Sequence, residues 1–365
     1  MGLPKLTIGI EEEYQIVDPR SRALSSYVQE LLDGGRRVLE DQIKPEFLQS
    51  QVEVGSRICG NMREARAEVV RLRSSVDELA AAGGLKVMAA STHPFSSWLD
   101  QEITEGERYT KHVEKLAELA RRMLIFGMHV HIGIDDRDLM VDVMSQARYF
   151  LPHILALSTS SPLWHGRETG LKSYRSIVFQ SLPRTGPPPE FDSWAEHQEF
   201  VETLIKTGCI DEATKIWWDI RPHPVYPTLE FRVADICTRP DEAIAIAALI
   251  QAIVAKLIKL RQTNQSWRRY RHHLVTENKW RAVRYGLDGK LIDFGRQEEI
   301  ETRRLIEELL EWVDDVLDEL ETRDEVAYIR TILEEGTSAD RQLAVYRETG
   351  DLNAVVDHLI AETHQ

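Results

Sequence analysis

Leu6-Thr7-Ile8-Gly9-Ile10-Glu11-Glu12-Glu13-Tyr14-Gln15-Ile16-Val17 sets apolar residues at 6, 8, 10, 14, 16 and 17 around three consecutive carboxylates. The pattern reads as a strand, in which alternate side chains share a face. Glu11 and Glu13 then point the same way, about 6 to 7 Å apart. Unless water screens them, two such carboxylates repel each other and call for a cation, and strand oxygens suit a hard divalent ion such as magnesium. An exposed edge strand would also carry acids for solubility. The other segments decide between the two.

Ile43 to Val54 reads as a second strand, with Gln51, Glu53 and Gly55 alternating against Val52 and Val54, and a turn would bring Glu46 to the same place. In Phe126 to Ile134, His129 and His131 share one face while Met128, Val130, Ile132 and Ile134 fill the other. Ile216 to Pro222 and Thr228 to Asp235 are two strands joined by a Pro-rich turn, hence antiparallel neighbours. The second puts Glu230 and Arg232 on one face, a pattern that a plain salt bridge would also use. Four predicted strands thus each turn acids or imidazoles to one side, where a solvated face would mix in Lys, Thr and Ser. Carboxylates outnumber histidines and no cysteine joins them, which favours magnesium or manganese over zinc, with more than one ion. Acids of this kind beside Arg221 and Arg232 suit nucleotide phosphates. No Walker-type Gly-rich loop competes for that role.

Composition narrows the partners. Sixty acids against 45 Lys and Arg give a net charge of -15, which repels nucleic acid and anionic membrane surfaces. Cys59, Cys209 and Cys237 are far apart and odd in number, which suits a reducing cytoplasm rather than a disulfide framework. The N-terminus shows no signal-peptide pattern. The apolar run Ala243 to Leu260, interrupted by Gln251 and Lys256, reads as a buried helix rather than a membrane span. It forms the core of a predicted helix over 241–260, N-capped by Thr238 or Asp241. Further helices are predicted over 61–82, 105–126, 142–158, 194–208 and 298–321, and 160–189 reads as an irregular basic loop. The expectation is a single catalytic domain over 1–365, mainly helical from about 296, and a homodimer.

Gly9-Ile10-Glu11-Glu12-Glu13-Tyr14, Gly127-Met128-His129-Val130-His131-Ile132-Gly133, Trp218-Asp219-Ile220-Arg221-Pro222, Leu229-Glu230-Phe231-Arg232-Val233-Ala234-Asp235 and Arg284-Tyr285-Gly286 resemble the motifs of the bacterial carboxylate-amine ligases, the glutamate-cysteine ligases of the second type. The resemblance runs in order over nearly the whole chain. A weaker one reaches glutamine synthetase, through the Gly-Met-His-x-His and Glu-x-Arg strands. It implies an α+β, glutamine-synthetase-like fold: a curved, mostly antiparallel sheet with metals and ATP on its concave face and helices behind. It also implies that Glu11, Glu13, Glu46, Glu53, His129 and Glu230 form the metal cluster, with His131 as the alternative histidine. Arg232, with Arg221 beside it, would contact the moving phosphoryl group, and Asn278, Lys279 and Arg284 would hold the nucleotide. Arg175 would hold an amino-acid carboxylate, with Thr92, His93, Arg108 and Tyr109 near the substrate and 160–189 as a lid. The implied reaction uses ATP and Mg²⁺, or Mn²⁺, to activate glutamate's γ-carboxylate as an acyl phosphate that an amine, cysteine or another, then captures. A metal-dependent hydrolase and a non-catalytic nucleotide-binding relative are the alternatives.

Overall fold

A computed structural model describes residues 2–365, apart from the side chains of Asp33, Arg36, Arg37, Val38, Arg108 and His112. Its centre is a seven-stranded sheet of β1 (Ile8–Val17), β2 (Ile43–Pro45), β3 (Gln51–Gly55), β4 (Lys86–Met88), β5 (Met128–Gly133), β6 (Ile220–Pro222) and β7 (Thr228–Phe231). The order is β6-β7-β5-β1-β3-β2, with β4 pairing the far end of β1, and every pairing is antiparallel. This is the expected α+β fold. Alternation sorts the sheet into two faces. Ile8, Ile10, Tyr14, Val52, Val54, Val130, Ile132, Leu229 and Phe231 are buried on one of them. Full burial of each such side chain stabilises by roughly 1.5–3 kcal/mol.

Helices Met62–Ala82 and Pro240–Gln262 pack behind that face. Asn61 caps the first, its side chain accepting from the Glu64 N–H at 2.9 Å, and Gly83 ends it as the sequence predicts. The second is long and apolar enough to cross a membrane, but most of it is buried inside the protein. Gln251, the polar break in its apolar run, donates to the Leu6 carbonyl at 2.8 Å and ties the helix to the start of β1. Its N-cap is neither Thr238 nor Asp241 but Arg239. Thr238 donates instead to the Ala89 carbonyl, and Asp241 pairs with Arg66. The closing helices, Ser338–Thr349 and Leu352–Glu362, set Leu343, Val355, Val356 and Leu359 against Val17, Met88 and Leu163.

Several boundaries differ from the sequence reading. The strand expected over 43–54 is a hairpin of β2 and β3. Pro45, without an N–H, closes β2 at the sheet edge, where that donor is not needed. The helix expected over 105–126 is two, Glu107–Leu116 and Glu118–Arg121, separated by Ala117 at φ 50°. The 142–158 helix starts earlier and is two, Arg137–Ala147 and Leu151–Ser158. The first four residues of the 298–321 segment form a strand paired with Lys290–Asp293, and the helix begins at Thr302. The region 160–189 is no bare loop: it holds helix Tyr174–Gln180, and Ser160, Ser161, Ser173 and Arg175 are buried, so its first half is a wall.

Candidate active site

Register does the assembling. Glu13 lies opposite Glu53, Glu11 opposite His129, and Glu230 opposite both His131 and Arg221. Directly opposed residues share a face, so pairs from five strands converge on the side away from the helical core. All of them except His131, which lies just behind, line a cavity of about 280 Å³ together with Glu46, Arg175 and Arg232.

Two ligand triads stand out among the described residues. Glu11, His131 and Glu230 offer atoms all within 4.8 Å of one another, and so do Glu13, Glu46 and Glu53. His129 is in neither. Its Nδ1 lies 3.1 Å from Glu11 Oε2 and 3.4 Å from an Arg232 nitrogen, whereas His131 Nε2 is buried without a hydrogen-bond partner. His131 Nδ1 is 3.1 Å from the Thr228 hydroxyl, which orients the ring. The geometry thus favours His131, the histidine that the resemblance ranks second.

The charges are unevenly matched. Glu230 takes a two-point contact from Arg221, at 2.7 and 3.2 Å, and a third from Arg232. Burial works against its charge, but the two guanidinium groups hold its carboxyl well below the ordinary range. Burial works against the charge of Glu11 too, but the two imidazoles beside it, His129 Nδ1 at 3.1 Å and His131 Nε2 at 3.6 Å, outweigh burial and hold its carboxyl low. Burial, and then the Arg232 charge, push His129 down to about 4, so its ring is neutral at pH 7. The second triad is different. Burial and the neighbouring Glu53 raise Glu13 to about 7, although the Gly127 N–H donates to it at 2.8 Å. Glu53 is raised too, by burial and by Glu11, with Lys44 3.5 Å away. Carboxylates that resist ionisation side by side are a site short of positive charge.

The remaining expected residues divide. Arg175 and Tyr109 line the cavity, and the Tyr109 hydroxyl donates to the Pro45 carbonyl at 2.8 Å. The Arg108 side chain lies outside the described residues. Thr92 and His93 are buried elsewhere: Thr92 donates to the Leu163 carbonyl, and His93 Nδ1 accepts from the N–H groups of Phe95 and Ser96. With Nδ1 accepting, Nε2 donates to the Arg22 carbonyl at 2.9 Å, and burial lowers the ring to about 3. Both residues shape a loop and stand off the lining of this cavity. Asn278, Lys279 and Arg284 also stand off the cavity lining. Asn278 is buried and exchanges hydrogen bonds with the backbone of Ile292, Lys279 pairs with Asp219 at 2.7 Å, and exposed Arg284 donates to the Gly170 carbonyl. Helix His272–Tyr285 turns them toward structural partners.

The sequence reading missed Glu212, Lys215 and Trp217, which line the cavity from a single 3-10 turn and a two-residue strand. Gln51 was findable, since it alternates with Glu53, and it donates to Glu13 at 3.3 Å and to the Ile125 carbonyl at 2.9 Å.

The sequence profile described as glutamate-cysteine ligase family 2 matches residues 7–358. A protein of Roseiflexus castenholzii named "Putative glutamate--cysteine ligase 2" is 58% identical over 357 residues, covering 98% of this chain and 94% of that one. A protein of Herpetosiphon aurantiacus with the same name is 56% identical, covering 98% and 93%. Among solved structures, the glutamate–cysteine ligase of Francisella tularensis in complex with AMP superposes with a TM-score of 0.72 at 14% identity, over 100% of this chain and 90% of that one. A bifunctional glutathione synthetase from Pasteurella multocida gives 0.69 at 16% identity, over 98% and 52%. These two speak for the fold. A profile match over almost the full length, joined by relatives above half identity, settles the family: the chain belongs to glutamate-cysteine ligase family 2.

Proposed function

We propose that the cavity joins a carboxylate to an amine at the expense of ATP, with glutamate as the carboxylate donor. One observation carries the reading: two oxygen-rich ligand triads, all of whose carboxylates line one cavity, stand there with Arg175, Arg221 and Arg232. The donor set fits divalent cations, since it is mostly carboxylate, leaves buried His131 Nε2 without a partner, and keeps Glu13 from ionising readily. Mg²⁺, or Mn²⁺ in its place, would be held by Glu11, His131 and Glu230 and by Glu13, Glu46 and Glu53. Bound there, such ions would neutralise the charge of a nucleotide's phosphates. The names and the AMP complex of the relatives support the choice of nucleotide and substrate.

The chain's own residues do the rest by positioning and electrostatics. In the first step a glutamate carboxylate oxygen attacks the terminal phosphorus of ATP, the bond to the bridging oxygen breaks, and ADP leaves. Arg232, held by Glu230, presents its guanidinium to the phosphoryl group in transit. Arg221 fixes Glu230 from behind and donates to the Thr214 carbonyl at 2.9 Å, so the pair is rigid. Arg175 takes a substrate carboxylate. In the second step the amine attacks the acyl phosphate carbonyl, inorganic phosphate leaves, and the nitrogen loses a proton. We read the whole chain as one such catalytic domain, acting as a cytoplasmic homodimer.

Phosphate release from ATP with Mg²⁺, glutamate and a panel of amines tests the reading, in wild type and Glu13→Gln. Glu13 is chosen because it is no arginine's hydrogen-bonded partner, so its loss leaves no orphaned buried guanidinium. Release that requires glutamate and one acceptor, and is lost in the variant, establishes the ligase and names its amine. Absence of turnover with every pair, in folded protein that binds nucleotide, overturns the choice of glutamate.

A further inference from the structure

Asp235 stands outside the cavity lining but touches what forms it. It is wholly buried. Its Oδ2 accepts from the Ser160 N–H at 3.0 Å and the Ser161 hydroxyl at 2.7 Å, and its Oδ1 accepts from the Ser173 hydroxyl at 2.8 Å. A backbone bridge ties it to Gly127. Nη1 of Arg175 lies 3.9 Å from Oδ1, and the Arg175 N–H donates to the Ser161 hydroxyl at 3.1 Å.

The guanidinium has close neighbours on its other sides. Nη2 donates to the Arg232 carbonyl at 3.2 Å, and a Cβ on Gly127 would sit 2.5 Å from Nη2, so a side chain there would push the guanidinium out of this position. The same Gly127 donates its N–H to Glu13. Among the described residues the Arg175 side chain makes no other hydrogen bond, and it lines the cavity. A buried guanidinium with unused donors beside a cavity is built to receive an oxyanion in a fixed plane.

We propose that Asp235 is a positioning residue for Arg175: its carboxylate, itself fixed by three hydrogen bonds, sets the direction in which the guanidinium offers its free donors to a substrate carboxylate. This rests on the role given to Arg175 above and extends it to the residue that aims it. Asp235 touches no substrate and acts only through the arginine.

The test compares the KM for glutamate with the KM for ATP. Asp235→Asn keeps the size and removes the charge, and the KM for glutamate rises about tenfold while that for ATP stays within about twofold. Arg175→Met raises the glutamate KM further, and adding Asp235→Asn to it changes nothing more, because a residue acting only through Arg175 has no effect once Arg175 is gone. Ser173→Ala, a milder change that frees Oδ1, raises the glutamate KM about threefold and decides the matter if Asp235→Asn does not fold. Unchanged glutamate KM in the folded variants, equal rises for ATP and glutamate, or additive effects in the double variant each overturn the inference. Wild-type turnover indifferent to glutamate overturns the proposed function and this inference together, and it shows before any variant is made.

Discussion

Glu12 and Glu13 are neighbours in one strand and live in opposite worlds. Glu12 points into the core, where it and Arg73 are both about as buried as a side chain can be, at 2% and 1% exposure. Arg73 Nε donates to it at 3.0 Å, the Tyr14 hydroxyl donates at 2.5 Å, and the remaining Arg73 donors reach the carbonyls of Cys237, Thr238 and Thr363. Every charge there has its partner inside the protein. Glu13 points into the cup, opposite another acid, with Gly127 and Gln51 as donors and no cation hydrogen-bonded to it among the described residues. The difference separates structure from function on a single strand: one face is neutralised for good, and the other is left short of positive charge for something that binds.

The largest effect expected from breaking this contrast lies in the core. Arg73→Met strands the Glu12 carboxylate without its counter-ion and also frees three backbone carbonyls, which costs about 3–5 kcal/mol of stability. Urea unfolding would measure it. Little change in the midpoint would mean that Glu12 is not the buried anion described here. Because Arg73 joins the back of β1 to Thr363 near the C-terminus, the loss should also loosen the closing helices.

Glu230 joins the two cases and gives the next effect. It belongs to a ligand triad yet is neutralised by two guanidinium groups. Glu230→Gln removes a triad ligand and leaves Arg221 and Arg232 close together without their anion. Turnover should fall by about 10²–10³ or more, as for loss of a preorganised transition-state contact. Stability should fall as well, by about 2 kcal/mol, as expected for unpaired buried charge. Glu13→Gln, in contrast, should lose turnover without losing stability. If both variants were equally destabilised, the division of the cup into a neutralised and an unneutralised triad would fail.

How much of this was legible follows from period. Strands are written in twos, so Glu11, Glu13, Glu53, His129, His131, Glu230 and Arg232 could be sorted onto one face before any pairing was known. Cross-strand register then only had to align them, and it did. What period cannot show is the partner of a polar residue. His93 and Asn278 look like binding residues by type, and their partners are backbone groups of Phe95, Ser96 and Ile292, which no side-chain pattern reports. The same blindness hid Arg73, which lies on a helix 61 residues from Glu12. Residues 298–301, three of them glutamates, read as the start of a helix because a charged hairpin strand and a solvated helical turn use the same residues.

The finest test concerns pH. Glu13 has its carboxyl raised from an ordinary 4.5 to about 7 in the folded, metal-free protein. An acid raised on folding binds its proton more tightly in the native state, so stability falls as pH rises from about 4.5 through about 7. Metal-free wild type should therefore lose about 1–3 kcal/mol between pH 5 and pH 8 through this group, and Glu13→Gln, neutral throughout, should not. The variant would be the more stable protein at pH 8 and its equal at pH 5. Mg²⁺ or Mn²⁺ should restore the wild type at pH 8, with affinity weakening as pH falls below 7 because the ion must displace a proton. Thermal melts at both pH values, with and without the ion, read all of this. A variant no more stable than wild type at pH 8 would show that the cup already neutralises Glu13 as the core neutralises Glu12, and the two faces of β1 would then differ only in their exposure.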